Sequence, residues 1–120
     1  MRRLMIPFAA LSLLTAGGPA FAHALLQHAE PAVGATVAAA PAALLLEFSE
    51  SVEPAFCKIM LTDAHGKPVA VGPAHTDPKD ATHLLVALPR LAAGKYTVHS
   101  HATSTDTHKT QGAYSFTGAP

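Results

Sequence analysis

Apolar and polar residues alternate in short stretches along most of the chain after residue 22. In one of them Tyr96 and Val98 share one face, while Thr97 and His99 share the other. Because successive side chains of a strand point to opposite faces, this period of two predicts half-buried β-strands. Turn residues separate the stretches, and no window keeps a helical apolar period between proper caps. The predicted strands lie near residues 24–28, 44–48, 57–62, 67–71, 84–88, 95–102 and 112–117.

Seven short strands separated by turns predict an all-β fold, a seven-stranded sandwich of two antiparallel sheets over one core. Tyr114 and Phe116 of the last strand are expected to point inward, and Cys57 is expected on the core side with its strand neighbours. Cys57 is the only cysteine, so no disulfide within the chain is expected. We interpret it as a buried, inert thiol rather than as a blue-copper ligand, because the Cys–His–Met run of such centres is missing.

The first 22 residues follow a different pattern, which is typical of an export signal. Residues 1–3 are positively charged, residues 4–16 are mostly apolar, and residues 20–22 have the small-x-small form of a cleavage site. The apolar run is shorter than the ~20 residues that cross a bilayer, which disfavours an uncleaved anchor. We predict a cleaved signal peptide over residues 1–22 and one domain over residues 23–120.

Charge and composition exclude some function classes and favour another. After residue 22 the chain has 6 Lys and Arg against 8 Asp and Glu, so there is no basic face for a nucleic acid. All 8 histidines lie in this part. Histidine is a frequent metal ligand, so this composition indicates a metal-binding protein, although about half of these histidines are expected to be ordinary surface residues.

Two features converge on a metal site. Cleavage after Ala22 would free the amino group of His23, and that amine and the imidazole of the same residue can chelate one ion. The unperturbed pKa of such an amine is about 7.7–8.0, so a metal displaces its proton easily at neutral pH. Asp106 and His108 lie two residues apart in a polar loop and can face one ion together. Three nitrogens and one carboxylate oxygen in a tetragonal arrangement favour Cu(II).

The chain resembles the CopC family of periplasmic copper-binding proteins. The resemblance covers segments 23–34, 46–52, 91–98, 104–108 and 112–116, in order and in register, and includes Phe48-Ser49-Glu50 and Ser104-Thr105-Asp106-Thr107-His108. It implies a Greek-key sandwich of the cupredoxin/Ig-like kind and one Cu(II) per chain, held by His23, Asp106 and His108. It also implies that Glu50 lies beside that site, where a carboxylate can orient a ligand; a solvated glutamate at a strand end is the equal alternative.

The resemblance further implies a function. We expect a monomeric, non-enzymatic periplasmic carrier or buffer of copper, acting in copper resistance or homeostasis, with a CopD-type inner-membrane protein as a partner. The sequence also departs from the family. Met60 is the only methionine after the signal, so a Met-rich Cu(I) site is not expected, and Lys109 stands where a proline commonly follows the histidine.

Several alternatives stay open at this point. A histidine-brace copper monooxygenase is the alternative enzyme, although residues 23–120 include only two tyrosines and no tryptophan to form a sugar-binding face. A sandwich that binds only other proteins is the metal-free alternative. His99 and His101 share a strand face and are either a second ligand pair or a solvated surface. The remaining histidines are interpreted as facing away from the site or as surface residues near turns: His28, His65, His75 and His83.

Overall fold

The computed structural model describes residues 25–119, and these fold into two β-sheets with a single turn of 3-10 helix at Pro54–Phe56. The predicted all-β class is therefore confirmed. In chain order the strands are β1 Leu26–Glu30, β2 Thr36–Val37, β3 Ala43–Phe48, β4 Lys58–Thr62, β5 Pro68–Val69, β6 His75–Asp77, β7 Asp80–Ala87, β8 Gly94–Thr103 and β9 Lys109–Gly118.

The two sheets exchange strands along the chain, which gives the sandwich its crossing connections. One sheet has the order β1-β3-β7-β6 and the other the order β2-β9-β8-β4-β5. All neighbours are antiparallel except β2, which pairs with β9 in parallel. The chain crosses between the layers from β1 to β2, β2 to β3, β3 to β4, β5 to β6 and β7 to β8. The longest pairing joins β8 to β9 directly through a hairpin, whose turn carries the candidate ligands.

The prediction of seven strands is wrong in number, because the described residues contain nine. The two additional strands are β2, with 2 residues, and β6, with 3 residues. An alternation of period two cannot be recognised in so few residues, and both strands form because their backbones bond to β9 and β7. The seven predicted strands are all present, with ends that differ by a few residues.

The core lies between the sheets and uses one face of each strand. Leu44, Leu46 and Leu84 of the four-stranded sheet are completely buried, and Phe116 of the opposite sheet is 1% exposed. Burying such a side chain contributes roughly 1.5–3 kcal/mol each. Tyr96 stacks against Phe116 with ring centroids 5.7 Å apart. The inward orientation that the sequence predicts for the last strand is therefore confirmed.

At one end of the sandwich, residues 51–53 cross from one sheet to the other. Val52, which is 2% exposed, donates its N–H to Ala81 in β7 at 3.0 Å and forms an antiparallel bridge with Ser104. Ser51 accepts a hydrogen bond from Thr105 N–H at 3.0 Å. This crossing segment fixes the β8–β9 turn against the end of β3. Within residues 25–119 there is no helix long and apolar enough to cross a membrane.

Candidate metal centre

The turn between β8 and β9 consists of residues 104–108 and closes with two backbone hydrogen bonds. Ser104 N–H donates to the His108 carbonyl, and Thr107 N–H donates to the Ser104 carbonyl, both at 2.9 Å. Thr107 has a φ of 74°, in the left-handed region that a β-branched residue rarely adopts. A left-handed conformation costs about 1–2 kcal/mol in such a residue. The turn is therefore held in a specific shape by its surroundings.

That shape brings the side chains of Asp106 and His108 together, as their spacing predicts. Asp106 Oδ1 lies 3.4 Å from His108 Nδ1, and both side chains are half exposed. The Ser104 hydroxyl donates a hydrogen bond to Asp106 Oδ1, and its oxygen accepts the His108 N–H at 3.2 Å. Ser104 itself is buried. One buried hydroxyl therefore orients the Asp106 carboxylate and also holds the backbone of His108, whose imidazole lies beside that carboxylate.

The Ser104 hydroxyl also favours the charged form of this carboxyl. Its hydrogen bond lowers the pKa of Asp106 below the usual value, and the nearby His108 lowers it further. Asp106 is therefore a carboxylate at neutral pH. A ligand that is already deprotonated does not need to lose a proton before it binds a cation.

Glu50 lies on the chain just after β3, next to the crossing segment. Its neighbour Ser51 accepts the hydrogen bond from the turn residue Thr105. The Oε2 atom of Glu50 is buried and has no hydrogen-bond partner among the described residues. An unpaired buried oxygen of this kind is uncommon, because its desolvation is not compensated. A hydrogen-bond donor outside the described residues would satisfy this oxygen.

The first predicted ligand, His23, lies outside the described residues, as does the predicted leader over residues 1–22. The described chain starts close to Glu50. Leu25 donates its N–H to Ser49 Oγ at 2.8 Å, and Ser49 donates its N–H to the Leu25 carbonyl at 2.8 Å.

Cys57 is a partly buried thiol next to β8. Its Sγ accepts the Thr103 N–H at 3.4 Å and lies 3.8 Å from the Thr103 carbonyl oxygen. Burial raises the pKa of the Cys57 thiol, although the Thr103 hydrogen bond opposes this shift. A protonated thiol is a poor nucleophile and a poor metal ligand. These contacts agree with the interpretation of Cys57 as a structural residue.

Of the other histidines in the described residues, His65 lies in the turn after β4 and the rest lie within strands. His99 Nε2 is 3.2 Å from Thr62 Oγ1, and the exposed His101 pairs with Lys58 across the five-stranded sheet. His83 differs from its interpretation as a surface residue near a turn, because it lies within β7 and its Nε2 is 2.7 Å from Glu47 Oε1. This contact depends on the register between β3 and β7, which no local sequence signal reveals. In their present positions, no three His, Cys, Asp or Glu side chains of residues 25–119 are arranged to hold a metal ion.

The fold and this turn together define a small two-sheet β-sandwich with an imidazole and a carboxylate in the hairpin at one end. A protein-family model described as the CopC domain matches residues 26–119, which is most of the chain. The chain therefore belongs to the CopC family, and the resemblance that the sequence indicates is confirmed.

Solved structures and a curated relative agree with this assignment. CopC from Methylosinus trichosporium OB3b is 35% identical, with a TM-score of 0.77 over 82% of this chain and 95% of that chain. PcoC, a methionine-rich copper resistance protein from Escherichia coli, is 33% identical, with a TM-score of 0.73 over 82% of this chain and all of that chain. Protein YobA of Escherichia coli K12 is 42% identical over 97 residues, which is 80% of this chain and 78% of that protein.

Proposed function

We propose that this chain is a periplasmic protein that binds one Cu(II) ion and carries or buffers copper in copper resistance or homeostasis. Membership of the CopC family supports the proposal, and the similar PcoC is described as a copper resistance protein. The observation that carries it is the pairing of Asp106 with His108, 3.4 Å apart, on a turn that is hydrogen-bonded to Ser51.

The donors that would hold the ion are the amine and imidazole of His23, the imidazole of His108 and the carboxylate of Asp106. Three nitrogens and one oxygen are the donor set that a tetragonal Cu(II) ion prefers over softer Cu(I). Removal of residues 1–22 is part of the proposal, because an internal histidine has an amide in place of the amine. The fit is supported by the Ser104 hydrogen bond, which orients Asp106 and lowers its pKa.

Glu50 would act on the ligands rather than on the ion. Its buried Oε2 has no partner within residues 25–119, and a metal-bound amine or imidazole carries N–H groups that need an acceptor. A carboxylate in this position fixes the ring orientation of a ligating histidine and raises its basicity. Glu50 would therefore strengthen the site without entering the coordination sphere.

We propose that the protein binds and releases copper without turnover. Protons compete with the metal for the amine and for both imidazoles, so lower pH weakens the site. Asp106 contributes little to this competition until the pH falls through its lowered pKa. The protein would act as a monomer and pass copper to an inner-membrane partner of the CopD type, by ligand exchange or on acidification.

The sharpest test of the copper site moves the amine and leaves every side chain in place. One Ala inserted between residues 22 and 23 turns the His23 amine into an amide, and we expect the Cu(II) affinity to fall at least about 100-fold, more than is typical for loss of an outer-shell partner. The readout is competition titration against a Cu(II) chelator, with mass spectrometry to establish the first residue of each exported protein.

Cys57→Ser serves as the matched control, because the thiol is outside the proposed donor set. We expect it to keep the unmodified affinity and the same d–d absorption. Equal affinity in the extended protein and the parent would refute the amine as a ligand. A large loss in Cys57→Ser would refute the donor set, and no copper uptake at an equimolar ratio would refute the function.

A further inference from the structure

A concave surface on the outer side of the five-stranded sheet lies next to the β8–β9 turn. Its cavity has a volume of about 700 Å³. We call it the Phe56 surface, and six of the side chains that line it define it: Phe56, Lys58, Met60, His101, Lys109 and Gln111. Lys109 directly follows the proposed ligand His108 along the chain. The Phe56 surface therefore borders the candidate metal centre and shares no proposed ligand with it.

Strand pairing places the polar side chains of the Phe56 surface next to one another. Lys58 of β4 is the register partner of His101 in β8, and His101 is the register partner of Gln111 in β9. Lys109 lies two residues before Gln111 and is therefore on the same side of β9. From the usual spacing of strands and of residues along a strand, the backbones of Lys58 and Lys109 are roughly 12 Å apart. The sheet thus fixes the separation of the two lysines.

The charge of the Phe56 surface has one sign. Lys58 and Lys109 are exposed, and none of the nine described residues that line the cavity is Asp or Glu. Within residues 25–119, neither lysine forms an ion pair. His101 lies on the strand between them and adds a third positive charge whenever its ring is protonated. Residues 23–120 contain more acids than bases, so a cavity wall without a carboxylate is a local feature of this surface.

Two apolar side chains of the same cavity are exposed to solvent. Phe56 is 71% exposed, and Met60 is 40% exposed. The backbone that carries the phenyl ring is fixed, because Phe56 N–H donates to the Glu53 carbonyl and the Thr103 hydroxyl donates to the Phe56 carbonyl, both at 3.0 Å. An aromatic side chain on a fixed backbone loses little conformational freedom when it is covered. Aromatic residues and methionine are enriched at protein interfaces, so this pair has the character of an interface centre.

We propose that the Phe56 surface docks an acidic segment of a partner protein. The segment lays an apolar side chain against Phe56 and Met60 and places carboxylates near Lys58 and Lys109. The charge of the surface supports this occupant, because complementary charges guide association and exclude partners of the wrong sign. The docked segment would lie beside the β8–β9 turn. The proposal does not rest on copper binding, since no residue of the Phe56 surface is a proposed ligand.

Two other anionic occupants match the Phe56 surface less well. A small inorganic anion would leave the exposed rings and thioether of Phe56 and Met60 in water. An anionic membrane is a wide surface, and it would face a domain that has 6 Lys and Arg against 8 Asp and Glu over residues 23–120. A narrow protein segment contacts only the cavity, where the charge is positive. A protein segment is therefore the occupant that satisfies both the charge and the apolar area.

Synthetic peptides with capped ends are the probes for this surface. The acidic peptide is Glu-Glu-Leu-Leu-Glu-Glu; one control replaces its glutamates by lysine, and the other replaces its leucines by serine. The chain is expressed with its own residues 1–22, purified without metal and titrated at low ionic strength. We expect the acidic peptide to shift the NMR signals of the Met60 methyl group, the Phe56 ring and the Lys58 and Lys109 amides in parallel. Added salt should weaken this binding, and both control peptides should bind more weakly.

The lysines are tested by removing the same charge in two places. The double variant Lys58→Gln, Lys109→Gln is expected to weaken binding of the acidic peptide at least about 3-fold, as loss of two exposed charge pairs implies. The matched double variant Lys67→Gln, Lys79→Gln removes two lysines that do not line the cavity. We expect it to change the peptide affinity less than the first double variant does, because the charges are screened at a distance.

The apolar centre is tested in the same way. Phe56→Ala is expected to weaken peptide binding at least about 5-fold, as loss of a central aromatic residue does. Val33→Ala truncates another exposed apolar side chain, 66% exposed, that does not line the cavity, and it should leave the affinity unchanged. Urea midpoints are expected to stay close to that of the parent in both variants, because these side chains are exposed.

Several outcomes would overturn the proposal. They are an absence of shifts with the acidic peptide, equal affinity for the lysine or the serine peptide, and unaltered affinity in Phe56→Ala or in the Lys58→Gln, Lys109→Gln variant. Sedimentation with vesicles of phosphatidylethanolamine and phosphatidylglycerol tests the membrane as occupant. Binding to these vesicles that is lost in Phe56→Ala would assign the surface to a lipid bilayer and overturn the protein partner. The protein is free of metal throughout, so these results are independent of the copper titrations.

Discussion

Two turns of this sandwich carry an aspartate followed two residues later by a histidine, and they use the pair in opposite ways. The first turn follows β4 and contains Asp63 and His65; the second joins β8 to β9 and contains Asp106 and His108. In the first, Asp63 Oδ1 accepts the N–H groups of His65 and Lys67, both at 2.9 Å. The Oδ1 atom of this carboxylate is thus bonded to the backbone of its own turn.

In the second turn a side-chain hydroxyl, rather than a backbone N–H group, makes the main contact with the carboxylate. The hydroxyl of Ser104, a buried residue, holds Asp106, and the ring of His108 lies 3.4 Å away. The backbones of the two turns also differ at their left-handed positions. Gly66 takes the left-handed position of the first turn without cost, whereas Thr107 takes it in the second, with a φ of 74°. The comparison teaches that the spacing Asp-x-His describes a turn, and that the surroundings decide whether its side chains are available to a ligand.

The largest expected difference between the turns is in copper affinity. We expect His108→Ala to lower the Cu(II) affinity of the exported protein at least about 100-fold, because it removes a proposed ligand. His65→Ala is the matched substitution in the other turn and is expected to change it less than about twofold. Competition titration measures both. If the two variants lose affinity equally, the distinction between the turns is wrong.

A smaller effect is expected from the hydroxyl that makes the second turn different. Ser104→Ala keeps both proposed ligands and removes the hydrogen bonds to Asp106 and His108, so we expect copper affinity to fall about 10–100-fold. The free energy of unfolding of the metal-free protein should fall by about 1–2 kcal/mol as well, since Ser104 is buried and hydrogen-bonded. Urea unfolding separates the two effects, and an unchanged copper affinity would contradict a positioning role for Ser104.

The smallest expected effect is in the acid response, where the two turns should behave alike. Hydrogen bonds from Lys67 and His65 N–H groups lower the pKa of Asp63, and the Ser104 hydroxyl lowers the pKa of Asp106. A carboxyl with a lowered pKa stabilises the fold above its unfolded-state pKa of about 3.9, and this contribution is lost as the pH falls through the lowered value.

The measurement is the urea midpoint of the metal-free protein between about pH 6 and pH 2. Both side chains are exposed, so we expect a modest loss of stability on acidification, reduced by about the same amount in Asp63→Asn and in Asp106→Asn. Only Asp106→Asn should also weaken copper binding. A loss of copper affinity in Asp63→Asn would show that the first turn takes part in the site.

The alternation of residues predicted the fold well because it is a local signal. Tyr96, Val98 and Phe116 point inward as their positions indicate, and Met60 points away from Leu61 with 40% of its surface exposed. β2 and β6 were missed because two or three residues cannot show a period, and their formation depends on the strands that they pair with. The local pattern therefore predicts the long strands, whereas β2 and β6 depend on tertiary contacts.

The candidate site was predictable only in part, for a similar reason. The spacing of Asp106 and His108 brings them together as predicted, yet the same spacing at Asp63 and His65 gives a turn that binds its own backbone. The buried oxygen of Glu50 and the contact of His83 with Glu47 depend on which strands become neighbours. Contacts between residues that are distant in sequence can be recognised only when the register of the sheets is known.

The segment that crosses between the layers has a mechanical consequence. Val52 is bonded to β7 on one side and to Ser104 on the other, while Glu53 donates its N–H to the Thr103 carbonyl at 2.8 Å. These hydrogen bonds connect the two sheets and prevent them from sliding past each other at this end. The scaffold around the turn is consequently rigid, so the copper binding that we propose should leave the backbone there unmoved and should cost little affinity in rearrangement.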